Sequence, residues 1–139
     1  MTTPISPSGP AVRVTGFDHI VLMVADVERA LAFYCGTLGG AEVRVTEWRN
    51  GEVFFPSARV NATTIIDLIP AAPEGKNVDH FCLVIAPTDL QALADSGRFD
   101  VVSGPSERFG AQGVGQGLYV RDPDGNVVEL RWYRQEGAT

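Results

Sequence analysis

The sequence predicts an α+β fold of two tandem βαβββ modules with curved mixed sheets. Three observations carry that prediction. Asp18-His19-Ile20-Val21-Leu22-Met23-Val24-Ala25 is matched 61 residues later by Asp79-His80-Phe81-Cys82-Leu83-Val84-Ile85-Ala86. Thr64-Ile65-Ile66-Asp67-Leu68-Ile69 is matched 62 residues later by Asn126-Val127-Val128-Glu129-Leu130-Arg131, carboxylate on carboxylate. In each copy, period-two apolar alternation gives way to helical spacing and then returns. Two copies are too few for a solenoid, so the reading is a duplicated domain with a pseudo-twofold axis.

Residues 1–13 begin MTTPISPSGP and offer little to bury, so they read as a disordered tail. Residues 14–24 form the first strand, with Phe17, His19, Val21 and Met23 on one face. Asp26 suits a helix N-cap, and Val27, Ala30, Leu31, Phe33, Tyr34 and Leu38 repeat at helical spacing until Gly39-Gly40. A strand over 43–48, an Asn50-Gly51 turn and a returning strand over 52–55 make a hairpin. Pro56 marks an edge or a break. A further strand ends at Ile69, closing module one at residue 70.

Residues 70–76 (PAAPEGK) are a linker, and module two spans 77–133. Residues 79–85 are its first strand. Pro87 is placed at the first helical position, with Leu90, Leu93 and Ala94 as a short apolar face. A strand follows over 99–102. Residues 103–117 hold five glycines and one proline, and read as a loop that covers a site. Residues 118–121 and 127–133 form a hairpin over Asp122-Pro123-Asp124-Gly125-Asn126. Its last strand puts Val128, Leu130 and Trp132 on one face and Val127, Glu129 and Arg131 on the other. Residues 134–139 are a C-terminal tail, leaving one domain over 14–133.

The chain has 139 residues, enough for a core without staples, and its 45% apolar and 20% charged residues are ordinary for a globular protein. A net charge of −6 with no basic stripe argues against nucleic acid as a partner. Cys35 and Cys82 do not make a disulfide framework and fit buried thiols in a reducing cytoplasm. No apolar run reaches the ~18 residues a membrane span needs. A cytoplasmic location without membrane contact is the expectation.

The chemistry sits on the repeated positions. His19 and His80 are the only two histidines, and both follow Asp at the opening of an apolar strand. Counting by two puts them, with Asp67 and Glu129, on the face opposite the helix-packing residues. Glu129 in mid-strand is costly to bury without a partner. Two imidazoles and up to two carboxylates suit Mn, Fe, Co, Ni or Zn, and two His plus one carboxylate leave positions open for substrate. Trp48, Phe54, Tyr119 and Arg131 are candidate pocket residues. Solvation at the surface is the default for Arg121 and Arg131, and packing under a helix is the default for Trp132.

The stretches FDHIVLMVADVERALAFY, VDHFCLVI and YVRDPDGNVVELRWY resemble the vicinal oxygen chelate superfamily across residues 14–133. That group includes glyoxalase I, fosfomycin-resistance thiol transferases, methylmalonyl-CoA epimerase, extradiol dioxygenases and bleomycin-resistance proteins. The resemblance implies the glyoxalase/bleomycin resistance/dioxygenase fold, with His19, His80 and Glu129 as ligands of a divalent metal ion. Asp67 falls where glyoxalase-like members have Glu or Gln. One methylene shorter, it is either a ligand or a water-bridged neighbour, and with Glu129 it is a candidate catalytic residue. The implied function is a metalloenzyme of lyase, isomerase or thiol transferase type that stabilises an enediolate or alkoxide of a small oxygenated substrate. The alternatives are a metal-free protein that sequesters a drug or metabolite, and an Fe(II) extradiol-type dioxygenase. The resemblance also implies a homodimer with shared sites, His19 from one subunit facing His80 and Glu129 from the other.

Overall fold

The computed structural model describes residues 8–72, 75–121 and 126–134. The first tail residues, the centre of the linker, the Asp122–Gly125 part of the closing turn and the last residues lie outside these. Strand β1 is Val14–Val24, helix α1 Val27–Leu31, β2 Ala41–Val43, α2 Val45–Arg49, β3 Ser57–Asn61 and β4 Thr64–Pro70. Then come β5 Val78–Ile85, α3 Leu90–Asp95, β6 Asp100–Gly110, β7 Gly113–Arg121 and β8 Val127–Trp132. Setting aside the short α2, the order is βαβββ twice, as the repeat predicts. No helix among the described residues is long and apolar enough to cross a membrane.

The chain divides into two compact units, residues 19–81 and residues 1–18 with 82–139. The division falls inside β1 and β5, so each unit holds part of both strands.

In the unit of residues 19–81 the strand order is β2-β3-β4-β1-β5. Strands β1 and β4 run parallel, with His19 opposite Ile65 and Val21 opposite Asp67. Strands β3 and β4 are antiparallel and set Ser57 opposite Asp67. Asp26 caps α1, its Oδ1 accepting from Arg29 N at 3.1 Å. The helix continues as a π-helical stretch over Ala32–Thr37. Val27, Leu31, Val45 and Leu68 form the core, with Tyr34, Trp48 and Ile66 packed against it.

The predicted hairpin over 43–55 is not there. Arg44 takes a left-handed backbone with φ 58° and ends β2, and the chain turns into α2. Val45 and Trp48 then lie one helical turn apart and both reach the core, an outcome that strand alternation would deny them. Asn50 caps α2 instead of opening a hairpin. Phe54 is 68% exposed, so neither aromatic takes the pocket role considered above.

In the other unit the order is β1-β5-β8-β7-β6. Helix α3 starts after Asp89, whose Oδ1 accepts from Ala92 N at 3.1 Å. Pro87 therefore lies before the helix and not at its first position. Ile85, Leu90, Leu93, Leu118, Val120 and Leu130 make the core, with Val128 and Trp132 against it. The faces of β8 are those predicted.

The glycine-rich stretch is not a loop. Strands β6 and β7 pair from Asp100 opposite Arg121 to Gly110 opposite Gly113, with irregular register between Val101 and Ser106. Its glycines mark close approach. A Cβ at Gly110 would collide with Arg131 Nη1 and Tyr133 Oη, and one at Gly117 would stand 2.8 Å from Glu129 Oε2. The missing side chains make room for those of β8.

Candidate functional site

His19, Asp67 and His80 belong to the unit of residues 19–81. Ile66 and Leu68 turn towards its helices, so the strand period sends Asp67 to the opposite face. His19 is 2% exposed and Asp67 3%. Ser57 Oγ donates to Asp67 Oδ1 at 2.5 Å, and Oδ2 lies 4.0 Å from His19 Nε2. Burial pushes the Asp67 carboxyl above its ordinary pKa, against the opposing pull of His19, the Ser57 hydrogen bond, Arg44 and His80. The guanidinium of Arg44 lies 5.0 Å from the centre of the Phe55 ring.

His19 and His80 meet. Their Nε2 atoms are 3.2 Å apart, and the rings stand edge to face at 84°. Nitrogens bound to one ion at ~2.1 Å, roughly at right angles or tetrahedrally disposed, stand about 3.0–3.4 Å apart. The pair therefore fits two ligands of a single divalent metal, and neutral imidazole suits Mn, Fe, Co, Ni or Zn. On its other side His80 Nδ1 lies 2.7 Å from Asp79 Oδ2. Assignment of the two histidines to different subunits is thereby corrected: the imidazoles of a single chain are already in contact. The reason is the strand order, which puts β5 directly beside β1.

Glu129 belongs to the other unit and is fully buried, as is Arg131. The carboxylate has the partner its burial demands: Arg131 Nε donates to Oε2 at 2.8 Å and Nη2 lies 2.6 Å from the same oxygen. Arg131 also donates to the carbonyls of Arg108 at 3.0 Å and Phe109 at 3.1 Å, and to Tyr133 Oη at 3.2 Å. Tyr133 in turn donates to Asp18 Oδ1 at 2.6 Å, and Asp18 Oδ2 accepts from Ala111 N at 2.9 Å. Tyr119 stands opposite Glu129 in the β7–β8 ladder. Burial first, then the Glu129 charge and a hydrogen bond to it, push the Tyr119 phenol well above the usual tyrosine range, so it stays protonated.

Surface solvation, the default for Arg131, is overturned. Its rigid planar fork satisfies a buried carboxylate and two backbone carbonyls together. The signal was present in the spacing Gly113-Val114-Gly115-Gln116-Gly117, which leaves one face of β7 without side chains. Ser57, Asp79 and Tyr133 were not singled out either. Ser57 was detectable only through the register that sets it against Asp67. Neither cysteine is in a disulfide, and Cys82 is buried as expected, whereas Cys35 is only half-buried.

Residues 16–130 match the family model described as Glyoxalase/Bleomycin resistance protein/Dioxygenase superfamily. A virulence protein of Salmonella typhimurium is 31% identical over 120 residues, covering 84% of this chain and 83% of its own. A glyoxalase domain-containing protein of Mycosarcoma maydis is 32% identical over 126 residues, covering 87% and 70%. Among solved structures, the Mn(II)-bound glyoxalase of Novosphingobium aromaticivorans aligns at TM-score 0.66 and 20% identity, covering 92% of this chain and 42% of that one.

Proposed function

The chain belongs to the glyoxalase/bleomycin resistance protein/dioxygenase superfamily, and from that membership we propose a metalloenzyme acting on a small oxygenated substrate. His19, His80 and Glu129 hold the divalent ion, which supplies Lewis acidity towards two adjacent substrate oxygens when bound. The observation that carries the reading is the 3.2 Å approach of the two repeat-equivalent imidazole nitrogens. At that spacing the two nitrogens suit two ligands of one ion.

Each remaining residue has a task on this reading. Arg131 holds Glu129 in one orientation through Oε2. Tyr119 donates to Glu129 and limits its rotation. Asp67, with one oxygen on Ser57 and its pKa raised, moves a proton to and from the substrate carbon or oxygen. Isomerisation, epimerisation and thiol addition to an epoxide each use one such proton carrier beside a polarised oxygen.

The test is metal content after dialysis, followed by turnover of thiol adducts, epoxides and catechols. Wild-type protein should retain about one divalent ion per chain, and His80→Ala and Glu129→Gln, whose amide oxygen can still accept from Arg131, should each lose it while remaining folded. Full metal content in either variant removes the assignment. Tight ligand binding by a protein that takes up no metal establishes sequestration instead.

A further inference from the structure

The repeat gives each histidine a preceding aspartate, Asp18 before His19 and Asp79 before His80. The structure uses the two differently. The Asp18 carboxylate accepts from Ala111 N and from Tyr133 Oη, tying down the β6–β7 turn and the end of β8. Asp79 turns its Oδ2 to the neighbouring imidazole at 2.7 Å from Nδ1.

We propose that Asp79 is a positioning residue that fixes His80 as the Nδ1–H tautomer and thereby aims an Nε2 lone pair at the His19 ring. An ionised carboxylate only accepts, so the Nδ1 facing it must carry hydrogen. Neutral imidazole then has its lone pair on Nε2. Metal uptake requires a lone pair on Nε2, which this tautomer provides, so His80 is ready-made as a ligand. The ligand role of His80 rests on the proposed function, whereas the tautomer does not.

Nitrogen-15 NMR of histidine-labelled, metal-free protein at about pH 8, where free imidazole is neutral, reads this directly. His80 of the wild type should show a protonated Nδ1 and a pyridine-type Nε2. In Asp79→Ala the His80 proton should move to Nε2 or exchange between the two sites. In Asp79→Asn the amide oxygen can still accept from Nδ1–H, so the wild-type pattern should return. Zn(II) affinity should fall ~10–100-fold in Asp79→Ala and recover in Asp79→Asn. The Asp79 side chain is 49% exposed, so neither variant should disturb the core. A protonated Nε2 on His80 in the wild type, or an unchanged tautomer in Asp79→Ala, overturns the proposal. The predicted tautomers in a wild type that binds no divalent ion would support the positioning role and remove the metalloenzyme reading. Normal metal binding with an unchanged Asp79→Ala spectrum would do the reverse.

Discussion

Replacing Arg131 by Met tests whether the buried network is structural as well as functional. Both Arg131 and Glu129 are fully buried, and Arg131 Nε and Nη2 converge on Oε2 at 2.8 and 2.6 Å. Removing one partner of such a pair costs about 3–5 kcal/mol, because the remaining charge stays buried. The carbonyls of Arg108 and Phe109 lose their donors as well, each worth ~1 kcal/mol or more. These contributions overlap, so about 4–6 kcal/mol is expected, a large part of the ~5–15 kcal/mol that holds a domain together. Arg131→Lys, a single point charge in place of the fork, should lose roughly half as much. The double variant Arg131→Met/Glu129→Leu should recover most of the loss, since an apolar pair of similar volume is often neutral. Urea unfolding of metal-free protein reads all three, with the slope checked for constancy so that the midpoint reports stability. A loss below ~1 kcal/mol in Arg131→Met, or no recovery in the double variant, would refute the view that the two charges depend on one another.

Two further outcomes follow from local geometry. In Gly117→Ala the new Cβ would stand 2.8 Å from Glu129 Oε2, closer than real Cβ contacts allow. The carboxylate must shift, and metal affinity measured by calorimetry should drop tenfold or more, far beyond what a small change in melting temperature would explain. Asp67→Asn should stabilise metal-free protein at neutral pH. The sign comes from the raised pKa: folding takes up a proton between the ordinary value of 3.8 and the higher folded one, so stability falls as pH rises through that window. Asn removes that cost, and its advantage should vanish below the ordinary carboxylate pKa. An advantage that persists in acid would mean that packing, not charge, is responsible.

The sequence by itself determined the strands that carry the candidate ligands. Residues 14–24 and 127–132 read as strands, period two then assigns each side chain to a face, and the duplicated Asp-His pairs identify the positions worth attention. Asp26 announced its helix because a carboxylate at an N-cap works through bonds three residues away. Local patterns of this kind are complete within a few residues of chain.

Only the tertiary structure decided the rest. The Asn50-Gly51 pair is a strong hairpin signal, yet the core needed Val45 and Trp48 on the same side, and a helical turn answers that demand where a strand cannot. Residues 103–117 look flexible because glycine is flexible in isolation. They become paired strands because Arg131, Glu129 and Tyr133, on or just beyond a different strand, fill the space their missing side chains leave. For the same reason the residues around Arg131 do not show it to be interior, and the only signal lies in the glycine spacing of residues 113–117 on another strand. The five donors of Arg131 meet their acceptors only after β6, β7 and β8 have come together, and a residue whose partners are distant in sequence carries no local mark of being buried.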